Sequence, residues 1–218
     1  MDKVLEFLTD LSANNNREWY NANKKRYDES REKILFLTDV LINEIRKFDS
    51  EIPALSPKDC VFRIFRDVRF SNDKRPYKTN FGAFVAKGGR KSMYAGYYFH
   101  IDPEGSFAGG GVYMPPAEPL KAIRDYMAEN GGEFLDIIND KNFKKIYPEM
   151  YDDKLKTAPK GFPKDHEYID LLRYKSFVFS SKMDKSEISA DNLIDKIIDS
   201  FEQLSPVNAF LNEALSKI

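Results

Sequence analysis

The hydrophobic period changes partway along this chain, and that change limits the architectures open to it. Over residues 1–52 apolar side chains recur every three to four positions, and from Cys60 to Tyr113 they alternate. Helical spacing returns beyond Pro115, with one more alternating stretch at 174–181. A spacing of about 3.6 puts apolar groups on one stripe of a helix, and a spacing of 2 puts them on one face of a strand.

Val4, Leu5, Leu8 and Leu11 predict a first helix that breaks in the polar run Ser12–Asn16, with Asn16 as N-cap of a second stretch starting at Arg17-Glu18-Trp19. Ile34, Leu37, Leu41, Ile45 and Phe48 predict a long amphipathic helix that stops before Pro53. Strands are expected at 62–70, 81–86, 94–101, 107–113 and 174–181. Asp102-Pro-Glu-Gly105 has Pro and Gly where a type I turn wants them, so it should join the third strand to the fourth. Leu120, Ile123 and Met127 predict a helix after Pro115-Pro116, and a second should follow the Gly131-Gly132 break. Residues 148–166 read as loop. Two helices are expected at the end, parted at Ser205-Pro206. Together these elements predict an α+β fold, a mostly antiparallel sheet of about five strands flanked by N-terminal and C-terminal helices. The expectation is a single domain over 1–218, helical in 1–52, sheet-rich in 60–114, helical and mixed in 115–218.

Composition matters mainly through what it excludes. Twelve Tyr and seventeen Phe argue against disorder. The start, MDKVLEFLTDLS, has acidic residues at positions 2 and 6 and no long apolar run, unlike a secretory leader. No later stretch approaches the length of a membrane span, and one cysteine, Cys60, excludes an internal disulfide framework. The expectation is a cytoplasmic protein without membrane contact. The formal charge of −1 hides an asymmetry. Lys58–Lys91 holds ten Lys/Arg against three Asp/Glu, a balance of +7, while the remainder holds 24 against 32. Segregated charge bears on partners rather than on fold.

The positive charge is densest in RIFRDVRFSNDKRPYK, residues 63–78. Read as a strand, Phe62, Ile64, Arg66, Val68 and Phe70 point one way, and Arg63, Phe65, Asp67 and Arg69 the other. Arg66 then faces inward, where a guanidinium needs carboxylates, carbonyls or a bound anion for its donors. Arg63 and Arg69 flank Asp67 at ion-pair spacing. A turn at Asn72–Pro76 returns Tyr77 and Lys78 toward the sheet. One reading is an anion pocket lined by Arg63, Arg66, Arg69, Lys74 and Lys78, because the planar fork of arginine takes two oxygens at once. The other is an internally paired Arg/Asp network. Asp67 is the one acidic residue placed to act as a base, and its arginine neighbours should lower its pKa.

The pattern Arg63-x-x-Arg66-Asp67-x-Arg69-Phe70-x-x-x-Lys74-x-x-Tyr77 resembles the signature of the domain of unknown function 2461 family, an uncharacterised and mainly bacterial family. Further matching stretches are Asn14–Tyr20, Gly109–Pro115 and Pro159–Phe162. The resemblance implies no activity. It carries over only the expectation that this segment is the site, and the ligand-binding residues expected there are Arg63, Arg66, Asp67, Arg69, Lys74, Tyr77 and Lys78.

The remaining candidates have plain structural readings. Gly109–Gly111 fits no phosphate-loop spacing and suggests close approach of another backbone. His100 shares a strand face with Tyr98 and Asp102, and His166 follows a loop. Both are read as structural histidines, and no metal site is expected from two histidines and one cysteine at this spacing. Cys60 is expected to be buried and Trp19 to anchor the core. The functional expectation is an anionic small molecule, carrying phosphate or carboxylate, bound at the basic segment. The alternatives are a nucleic-acid-binding module, with Phe65, Phe70, Tyr77 and Phe81 as a stacking platform, or a structural or interaction protein. Against nucleic acid stands a pI of about 6.2.

Overall fold

The computed structural model describes all of residues 1–218. Its helices are α1 (Asp2–Ala13), α2 (Arg17–Ala22), α3 (Lys24–Phe48), α4 (Pro57–Cys60), α5 (Ala117–Asn139), α6 (Lys141–Ile146), α7 (Ile169–Leu172), α8 (Lys185–Ser189) and α9 (Leu193–Leu215). The strands are β1 (Phe81–Val85), β2 (Gly96–Ile101), β3 (Ser106–Val112) and β4 (Phe177–Met183). They form one antiparallel sheet in the order β1-β2-β3-β4. The α+β architecture and the pairing across Asp102–Gly105 are as expected, with Phe99 opposite both Ala83 and Ala108.

Alternation sorts the sheet into a core face and an outer face. Phe81, Ala83, Val85, Tyr97, Phe99, Ile101, Ala108, Phe177 and Phe179 are buried. Helices cover that face: Phe7 of α1 packs on Phe81, Phe48 of α3 and Phe201 of α9 pack on Tyr97, and Phe134 of α5 packs on Phe177. Each such side chain, once fully buried, contributes about 1.5–3 kcal/mol of transfer free energy. Helix and sheet are also clasped by an amide. The Asn212 side chain accepts from the Ala95 N–H at 2.7 Å and donates to its carbonyl at 3.2 Å.

Two expectations need correction. Residues 62–70 form no strand, so the sheet has four strands rather than five; only Val61 bridges to Ala83. Charged residues at 63, 66, 67 and 69 leave that stretch too little apolar surface to bury a strand face. The chain does not break at Ser205-Pro206. Proline removes one helical hydrogen bond, but Phe201 and Leu204 before it and Val207 and Phe210 after it bury one continuous stripe, which outweighs that loss. The break expected at Gly131-Gly132 is present as a kink at Asn130, where the backbone leaves helical geometry (φ −122°) and divides α5 into two helical stretches. Gly131 stays bare because a Cβ there would lie 2.4 Å from the Tyr168 ring. Gly109–Gly111 lie within β3, and the expected approach of another backbone is found there: a Cβ on Gly110 would be 2.0 Å from the Gly96 carbonyl.

Candidate functional site

The basic segment leaves the sheet and doubles back on itself. Phe62 N–H bonds the Gly82 carbonyl at 2.9 Å, tying the segment to the free edge of β1. Two further bonds, Arg66 N–H to Pro76 O at 2.9 Å and Lys78 N–H to Ile64 O at 2.8 Å, close a narrow two-limbed loop around the Phe65–Tyr77 bridge. Lys74 Nζ crosses the tip to the Val68 carbonyl at 3.1 Å. Expected alternation survives as burial: Ile64 is buried, Arg66 and Val68 are partly buried, and Arg63, Phe65, Asp67 and Arg69 are exposed. Phe70 departs from it and stands 94% exposed at the tip.

Aromatic stacking and one amide hold the loop to the N-terminal helices. Tyr77 is buried and stacks on Tyr20 at 4.1 Å and 18°, with Phe65 edge-on to Tyr20. Asn15, in the turn between α1 and α2, accepts from the Tyr77 N–H at 3.1 Å and donates to its carbonyl at 3.0 Å. Asn16 caps α2 as expected, accepting from the Trp19 N–H at 2.8 Å.

Most of the cations end on protein acceptors. Arg69 grips Asp67 through Nε at 3.0 Å and Nη2 at 2.7 Å, and these bonds hold the Asp67 carboxyl below the usual range. Arg66 Nη1 meets Asp73 Oδ2 at 2.6 Å and the Arg75 carbonyl at 3.2 Å. Arg75 grips the same Asp73, with Nη2 2.8 Å from Oδ2, and its hydrogen bonds are the main reason that carboxyl sits far below the ordinary range. Asp73 is therefore the hub that sequence reasoning missed. It lies seven residues from Arg66, and only the turn brings them together. The expected ladder of Arg63, Asp67 and Arg69 reduces to the Arg69–Asp67 pair.

Arg63 and Lys78 are the exceptions, since neither makes a side-chain hydrogen bond or ion pair with protein groups. The Lys78 ammonium sits 5.4 Å from the centre of the Phe62 ring. Burial pushes the Lys78 amine down, and the charge of Arg63 pushes it further the same way.

Phe62 also meets the outer face of the sheet, edge-on to Tyr98 at 6.1 Å. Beside it lies a titratable cluster. The His100 Nδ1 stands 3.0 Å from Tyr98 Oη and 3.3 Å from Asn80 Nδ2. Its Nε2 is 3.7 Å from Asp102 Oδ2, and the ring stacks on Phe107 at 4.8 Å. Gly82 makes room for the Tyr98 hydroxyl, which a Cβ would meet at 2.5 Å. Burial lowers the His100 pKa, Asp102 opposes that, and Lys78 adds to it. Burial pushes the Tyr98 phenol up to about 12. Strand alternation alone put Tyr98, His100 and Asp102 on one face. Their meeting with Asn80 and Phe62 depends on the path of the chain outside the strand.

A group held neutral in this way contributes stability fully above its unfolded pKa, about 6.5 for histidine, and loses it as pH falls through the lower folded value. Acidification from pH 7 to pH 5 is therefore expected to lower the wild-type Tm more than that of His100→Gln. Equal slopes in thermal unfolding across that range would rule this out.

Other residues keep structural roles. Trp19 packs on Phe7, and the His166 Nδ1 accepts from the Tyr168 N–H at 3.1 Å. Cys60 is buried, and burial pushes its thiol up to about 11, which suits packing rather than nucleophilic attack. No helix is long and apolar enough to cross a membrane. In comparisons with known proteins, the model of a family described as a conserved hypothetical protein (DUF2461) matches residues 3–210. No curated protein and no solved structure matches the chain.

Proposed function

Because the chain belongs to the DUF2461 family, whose description carries no activity, its function must be argued from its own side chains, and we propose that it binds an anionic small molecule between Arg63 and Lys78. The Phe62 ring and the edge of the Tyr98–His100 cluster form the walls. One contrast carries this reading. Arg66, Arg69 and Arg75 each have a carboxylate within 2.8 Å, whereas Lys78 is partly buried and has no counter-charge, and Arg63 has none either. A phosphate or carboxylate placed there relieves the repulsion and takes the bidentate donors of Arg63. The paired arginines and Lys74 then build and brace the loop instead of holding the ligand.

The test is ligand-dependent stability. Inorganic phosphate and a panel of phosphorylated metabolites are expected to raise Tm, reaching about 2.7 kcal/mol of added stability at a hundredfold excess over Kd. Arg63→Ala and Lys78→Ala should abolish that gain, whereas Arg69→Ala should retain it. A panel without effect on wild type would end the proposal. Exposed Phe70, with the Arg69 guanidinium 5.8 Å from its ring, favours a second reading as a nucleic-acid contact. Tyr77 and Phe81 are buried and cannot serve as platforms for it. Oligonucleotide affinity falling steeply on a log–log salt plot would favour that reading.

A further inference from the structure

Aromatic rings and unpaired cations meet on the outer face of the sheet. Helices α1, α3, α5 and α9 pack on the core face, through Phe81, Tyr97 and Phe177. On the other face, register puts Phe84 beside Tyr98, with His100, Phe107 and Lys182 in the next row. Phe62, Phe84, Tyr98 and Phe107 are only partly buried, so ring surface meets solvent there. Three of these rings and the imidazole form a continuous run. Phe62 lies 6.1 Å from Tyr98, Tyr98 5.6 Å from Phe107, and Phe107 4.8 Å from His100, between ring centres. A contiguous apolar patch rimmed by charge marks a binding face.

The rim is positive and uncommitted. The Lys78 ammonium sits 5.4 Å from the centre of the Phe62 ring, a contact that favours the charged form, the form that holds an anion. Lys182 stands exposed opposite Phe107, and neither lysine has a carboxylate partner. The rings are also held in place before any ligand arrives. Phe107 stacks on His100 at 13°, and the Tyr98 hydroxyl lies 3.0 Å from His100 Nδ1, in the space that Gly82 leaves. Preorganised rings lose little side-chain freedom when something stacks on them.

We propose, resting on the anion site above, that the ligand is a nucleoside phosphate, with its phosphate held by Arg63 and Lys78 and its base stacked on Phe107 and Tyr98. Phe62 separates the ammonium from Tyr98, leaving room for the sugar between phosphate and base. Stacking asks only for a flat π-face, which every base has, and the cations supply the complementary charge.

Ligand comparison on the full chain tests this. Melting temperature and titration calorimetry are measured with adenosine 5′-monophosphate, ribose 5-phosphate and adenosine. The monophosphate is expected to bind about tenfold more tightly than ribose 5-phosphate, the contribution of one stacked base. Adenosine should bind more weakly than the monophosphate. Phe107→Leu keeps apolar bulk without the ring, and should bring the monophosphate down to the affinity of the sugar phosphate. Phe107→Trp should keep the preference. Equal affinity of wild type for the monophosphate and ribose 5-phosphate overturns the stacking platform and leaves the anion site standing. Equal affinity for adenosine and the monophosphate, with no stabilisation by ribose 5-phosphate, overturns the anion site and the nucleotide with it.

Discussion

Gly110→Ala is expected to destabilise the protein by about 3 kcal/mol, the upper end of the usual range for overpacking. Gly110 lies in the middle of β3, opposite Tyr97, on the face that α9 covers. A Cβ there would stand 2.0 Å from the Gly96 carbonyl and 2.8 Å from Leu204 Cδ2. The first neighbour is backbone inside a hydrogen-bonded ladder and cannot swing away. The second is a fully buried leucine at the contact between sheet and helix. Relief therefore requires β2 and β3 to separate or α9 to lift, and either motion opens the core. For a chain of this size the loss corresponds to a fall in Tm of roughly 6–12 °C. Gly105→Ala is the control, because nothing lies within 4 Å of a Cβ at that turn. If the two variants melt together, the packing argument fails.

Tyr77→Ala is expected to lose about 3–5 kcal/mol, the range for deleting a buried aromatic ring. It should also abolish stabilisation by phosphate. The Tyr77 ring enters the core from the basic loop together with Ile64, stacked on Tyr20 and touching Phe65. Lys78 follows it directly, so the position of the amine depends on that anchor. Denaturant unfolding gives the stability change, and trypsin cleavage at Arg66, Arg69 or Lys74 reports release of the loop under native conditions. A variant that keeps wild-type resistance to trypsin and still responds to phosphate would show that the loop is held by something other than its aromatic anchor. The Asn15 amide is the other contender, because it bonds both backbone groups of Tyr77.

The local elements were legible because periodicity and capping are properties of neighbouring residues. Val4, Leu8 and Leu11 mark a helix wherever it packs, Asn16 caps the next turn with its own side chain, and Asp102–Gly105 closes a hairpin between strands adjacent in sequence. Alternation likewise placed Tyr98 and His100 on one face before any partner was known. Where local signals competed with packing, they misled. Ser205-Pro206 looks like a helix start, yet the buried stripe of α9 runs through it. Residues 62–70 alternate like a strand, yet they carry too much charge to be covered as one.

For the site, the sequence by itself determined that positive charge is concentrated in residues 63–78 and that an aromatic and a lysine return to the sheet at its end. Only the tertiary structure decided which of those charges are spoken for. Asp73 lies one residue before Lys74 and two before Arg75, and nothing in that order says that it also holds Arg66, or that Arg63 and Lys78 are left without a carboxylate. Ion pairing at these distances depends on where each side chain's tip arrives in space, over a few ångströms. Those positions follow from the doubling-back of the loop and from the stack of Tyr77 on Tyr20, a contact between residues far apart in the chain.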